Sequence, residues 1–64
     1  MTRDLENATK AAQCAELLCG DLRELVKSEN LLLSDVALAH LQTATRLRTD
    51  LERIAGLLKQ MERP

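Results

Sequence analysis

The chain has 64 residues, no aromatic residue, and 10 acidic against 9 basic side chains, which leaves a net charge of −1. This balance argues against a strong electrostatic surface for nucleic acid or for an anionic membrane. A domain of this length buries only about 60% of its unfolded surface, so a core without aromatic side chains is expected to need dimerisation or a partner.

Apolar residues recur at helical spacing in the first part of the chain and predict a helix over about 3–27. When heptad letters are assigned so that Ala8 is position a, every residue at a, d and e between Leu5 and Val26 is apolar. Gly20 lies inside this segment at position f. The pattern favours a continuous helix, with a break at Gly20 as the alternative.

Residues 28–34 are predicted to connect this helix to a second one. Asn30 suits the left-handed conformation that ends a helix, and Ser34 is the best helix start in the chain. The connection would then contain Leu31–Leu33. We expect these leucines to fold over the open end of the hairpin, with contact to a partner as the alternative.

The second helix is predicted over about 35–63, with Ala37 as position a. Positions a and d of this helix are apolar except for His40. Small residues in the first half of one helix would face large residues in the second half of the other, which favours antiparallel packing. The predicted fold is therefore one domain, 1–64, an all-α antiparallel hairpin completed by a partner or by dimerisation. Its predicted core is drawn from a and d: Ala8, Ala15, Leu18, Leu22, Leu25, Ala44, Leu47, Leu51, Ile54 and Leu58.

The sequence predicts no catalytic, cofactor-binding or metal-binding residues, and so no enzyme. His40 has no Cys, Asp or Glu three or four positions away, and its combination with Cys14 and Cys19 lacks the usual spacing of a zinc site. The two cysteines are expected to be reduced, with an intermolecular disulfide through Cys14 as the alternative. We expect neither a cofactor nor a small-molecule substrate.

The first ten residues are polar and charged, without the apolar segment of a signal peptide, and no apolar run approaches the ~20 residues that span a bilayer. A cytoplasmic protein without membrane contact is expected. Its partner is predicted to be another helical protein or a second copy of the chain. Apolar residues that the hairpin stripe does not use are the predicted partner-binding residues: Cys14, Leu17, Leu57, Leu31, Leu32 and Leu33.

The second helix also carries a Gln and a run of Leu, Ala and Ile at helical spacing: Gln42, Ala44, Leu47, Leu51, Ile54, Ala55 and Leu58. In this pattern, and in its length, the chain resembles the small co-chaperones of type III secretion needle subunits (the YscE family). It lacks the aromatic residue that members carry early in the second helix. The resemblance implies a cytoplasmic co-chaperone that pairs with a larger helical chaperone to hold a needle subunit before export. It assigns no individual site residue.

The alternative is a phage- or plasmid-type regulator that acts as a homodimeric four-helix bundle, either on RNA or by inhibiting a host protein. In architecture the chain resembles the plasmid copy-number regulator Rop. The outer face of the first helix weighs against RNA, because one lysine and two acids offer little to phosphates and no ring is available for stacking. That face comprises Asn7, Lys10, Gln13, Leu17, Asp21 and Glu24.

Overall fold

The computed structural model describes residues 2–61 as two α-helices joined by a short connection. Helix α1 spans Thr2–Val26 and helix α2 spans Leu31–Met61, and the two pack against each other along their length. This confirms the predicted all-α two-helix hairpin. Residues 62–64 lie outside the described part of the chain, and with them the predicted end of the second helix.

Helix α1 is continuous through Gly20, as the apolar pattern predicts. Gly20 does not have a positive φ, and a Cβ built on it would meet no atom within 4 Å. The helix tightens at its C-terminal end, where the N–H groups of Lys27 and Ser28 donate to carbonyls three residues back, at 3.2 and 3.0 Å. Such bonds satisfy carbonyl groups that an α-helix leaves free at its end.

Helix α2 begins at Leu31, four residues earlier than predicted. The reason lies in Asn30, whose side-chain oxygen accepts a hydrogen bond of 3.1 Å from the N–H of Leu33. This is the geometry of a helix N-cap. Asn30 therefore starts α2, and the prediction that it ends α1 in a left-handed conformation is wrong, since no non-glycine residue in the described chain has a positive φ.

Ser34 lies in the first turn of α2 and closes the hairpin. Its hydroxyl donates to the carbonyl oxygen of Val26 at 2.6 Å, which satisfies a free carbonyl at the end of α1. The three leucines before Ser34 are helical and exposed, with Leu31 and Leu32 at 81% and 74%. The predicted hydrophobic cover over the open end of the hairpin is therefore wrong.

The two helices meet through heptad positions a and e, which we call the seam. The four buried side chains of the described chain are all small and all belong to it: Ala15, Cys19, Ala37 and Ala44. Other seam residues are partly buried: Leu5, Ala8, Ala12, Leu22, Val26, Leu41, Leu51, Ala55 and Leu58. Because seam residues alternate at spacings of three and four, they form one straight stripe along each helix.

Four of the ten predicted core residues lie outside the seam. Leu18, Leu25, Leu47 and Ile54 are between 43% and 48% exposed. All four occupy position d, which on a regular helix points about 80° away from the middle of an a/e seam. Small residues at a and e let the helices approach closely, and d then falls to one side. The prediction that the hairpin core runs through a and d is corrected to a and e.

Candidate helix-docking face

The d positions of α1 and α2 lie on the same side of the hairpin. Two right-handed helices that run in opposite directions and share an a/e seam turn their d positions to the same side. Residues at d from both helices accordingly line one shallow groove of about 330 Å³, which includes Leu18 and Leu22 from α1 and His40 and Leu47 from α2.

We call this side the d face. Its side chains form two parallel rows that run from the connection to the opposite end of the hairpin, and all of them except Asp4 and His40 are apolar: Asp4, Ala11, Leu18, Leu25, Leu33, His40, Leu47, Ile54 and Met61. Ala11 is partly buried, and the exposed fractions of the leucine, isoleucine and methionine side chains lie between 40% at Leu33 and 69% at Met61. The face is therefore an apolar surface that the hairpin itself leaves in contact with water.

The hairpin seam buries little apolar volume by itself. No Leu, Ile, Val or Met of the described chain is buried, and the largest fully buried side chain is Cys19. Complete burial of a leucine stabilises a protein by about 1.5–3 kcal/mol relative to exposure. The half-exposed leucines of the d face obtain only part of that free energy, so covering the face would stabilise the fold.

The side of the hairpin opposite the d face is polar, and Arg48 links the two helices there. This arginine is the one charged residue at the seam positions of the described helices, and its Nη1 donates to Glu16 Oε2 on α1 at 2.9 Å. Its Nε lies 3.8 Å from Glu52 Oε1, too far for a hydrogen bond, and is shielded from water. The pair with Glu16 links α1 to α2 and, with the Cys19–Thr45 contact of 3.9 Å, fixes their register.

A second open groove of about 430 Å³ lies on this polar side. Small seam residues such as Ala12 and Ala55 form its floor, while Glu16, Glu52 and Lys59 stand at its rim. The rim carries both signs of charge, so it offers no concentrated field for an ionic ligand.

The predicted partner-binding residues do not form one surface. Leu17, 71% exposed, is at position c of α1, on the side away from α2. Leu31 and Leu32 occupy the first turn of α2 at positions b and c, away from the d face. The other three lie on or beside the d face: Leu33, Cys14 and Leu57.

The structure brings no group of three His, Cys, Asp or Glu side chains into metal-binding proximity within residues 2–61. Both cysteines are free, with Cys14 exposed and Cys19 buried. Cys19 therefore packs in the seam as a small apolar residue, and Cys14 presents its thiol to solvent.

Sequence reasoning missed the d face as a surface because it assigned the same leucines to the hairpin core. The signal was present in the width of the apolar stripe. Positions d, a and e together cover about 100° of a helix, whereas a seam between two helices needs only two heptad positions. The third position was available for a second interface.

No family model matches the chain, and neither a curated protein nor a solved structure gives a significant match. Neither helix, over the residues that the structure describes, contains a stretch both long and apolar enough to cross a bilayer.

Proposed function

We propose that this protein is a non-enzymatic binding module that docks its d face against amphipathic helices of another protein molecule and so completes a helical bundle. The observation that carries the proposal is the double row of half-exposed apolar side chains along one side of the hairpin. Contiguous apolar surfaces of this kind mark interaction sites in proteins. Helix packing into an apolar groove is the matching mode of recognition.

Two specific forms of this function follow from the resemblances. In the co-chaperone form, the d face docks on a larger helical chaperone that holds a type III secretion needle subunit. In the regulator form, the d face pairs two copies of the chain, and the resulting bundle acts on RNA or on a host protein. Both forms use the same face, and its occupant distinguishes them.

The test is a pair of matched double variants in the tagged full-length chain, expressed in its native cell. Leu18→Glu with Leu47→Glu places two charges on the d face. Leu17→Glu with Leu38→Glu places two charges on leucines of similar or greater exposure that lie off that face. A charge that must enter an apolar interface without a partner is strongly unfavourable.

We expect the wild-type protein and the Leu17/Leu38 variant to co-purify the same identified helical protein, and the Leu18/Leu47 variant to lose it. Reassembly from purified components then confirms direct contact. Equal binding by both double variants would show that the d face is not the docking surface. Circular dichroism of each variant verifies that the helices persist.

A further inference from the structure

The occupant of the d face can be inferred from the face itself. We propose that a second copy of this chain covers it, turned head to tail, so that the two connections lie at opposite ends of an antiparallel four-helix bundle. This inference rests on the proposed function and names its partner. A two-fold axis would relate the copies, so each side of the interface is the same surface.

The dimensions of the hairpin suit such a dimer. The Cα positions extend over 52 × 13 × 11 Å. The footprint of the broad side is therefore about 700 Å² between Cα positions, which gives room for the roughly 800 Å² of accessible surface that each partner buries in a standard protein interface. A second hairpin matches this side in both length and width, because it is the same object.

The sizes of the d residues favour the head-to-tail orientation. In the register fixed by the cross-helix contacts, the d residues share levels in four pairs: Asp4 with Met61, Ala11 with Ile54, Leu18 with Leu47, and Leu25 with His40. Head-to-tail packing places the level of Leu18 and Leu47 opposite the level of Ala11 and Ile54 in the second copy. Packing with both connections at one end would place four leucines in one layer, and two alanines with two isoleucines in the next. A well-filled interface needs large residues to face small ones.

Cys14 marks where the two-fold axis would pass. The axis would pass between α1 and the α1 helix of the second copy, at a level midway between Ala11 and Leu18. Cys14 lies at this level and is exposed at position g, beside the d face. Head-to-tail packing thus places the two Cys14 thiols side by side. Packing with both connections at one end puts them on diagonally opposite helices, where each instead faces Asp50 of the other copy. Because a disulfide requires Cα atoms within about 7 Å, cross-linking distinguishes the two orientations.

The experiment uses the purified full chain, with sedimentation to measure mass and mild oxidation to form disulfides. We expect a dimer that becomes disulfide-linked in the wild type and in Cys19→Ser, but not in Cys14→Ser. In the variant Cys19→Ser with Asp50→Cys, peptide masses should show 14–14 and 50–50 links. Links between 14 and 50 would overturn the head-to-tail arrangement.

The d-face variants supply the second measurement. Leu18→Glu with Leu47→Glu should raise the dissociation constant of the dimer by more than about tenfold, and Leu17→Glu with Leu38→Glu should leave it nearly unchanged. If the first variant loses helicity, Leu47→Ala makes the same comparison without an added charge.

The outcomes separate this inference from the proposed function. A wild-type chain that sediments as a monomer at every concentration, yet loses its native partner when Leu18 and Leu47 become Glu, overturns the inference and leaves the docking function standing. A monomer whose native partner is unaffected by those changes overturns both.

Discussion

Gly20→Ala is expected to stabilise the protein. Gly20 is in the interior of α1, its φ is not positive, and a Cβ placed on it meets no atom within 4 Å. Alanine therefore fits without strain. It also loses less backbone conformational entropy than glycine when the helix forms. The gain is about 0.5–1 kcal/mol in the free energy of unfolding. At about 4–8 °C per kcal/mol for a domain of this size, the melting temperature should rise by roughly 2–8 °C.

Thermal and urea unfolding followed by circular dichroism measures this change, at one protein concentration for all variants. Ala39→Gly is the matched control, because Ala39 is exposed in the interior of α2 and the reverse substitution there should cost a similar free energy. A loss of stability on Gly20→Ala would mean that the chain needs glycine at this position, and that α1 is not a continuous helix.

Three further predictions test the seam, the connection and the alternative function. Ala44→Leu should cost about 1–3 kcal/mol, because Ala44 is buried in the seam, whereas Ala39→Leu on the exposed side should change stability little in the same unfolding assay. Asn30→Ala should cost about 1 kcal/mol in unfolding free energy through loss of the N-cap, and Asn30→Asp should retain most of it. Structured RNA should show no saturable binding in a gel shift at ~150 mM salt, and tight binding would favour the Rop-like regulator.

The existence of both helices could be predicted from the sequence because their apolar residues repeat at helical spacing over more than twenty residues. The start of α2 could not. Asn30 and Ser34 are both good N-caps, four residues apart, and local propensity does not choose between them. The choice is tertiary: Ser34 bonds to the carbonyl of Val26 on the other helix, and this leaves Asn30 to cap α2.

The candidate site was only half predictable for a similar reason. An apolar residue at position d has the same spacing whether it packs inside the hairpin or against another molecule. What decides between them is how closely the helices approach, and that depends on Ala15, Cys19, Ala37 and Ala44 acting together. A pattern read along one helix at a time does not show this. Leu18 and Leu47 were therefore placed in the right stripe, but in a hairpin core in which they are only half buried.

The narrow seam and the apolar d face both result from the way large and small residues are distributed over the heptad positions. The side chains buried between the two helices are three alanines and a cysteine, whereas three leucines and an isoleucine at position d are about half exposed. A hairpin built this way holds its shape but leaves much of its hydrophobic free energy unused. A molecule that covers the d face binds the folded hairpin and not the unfolded chain, so binding must stabilise the fold by mass action. In the proposed bundle, folding and association would therefore be coupled through the same leucines.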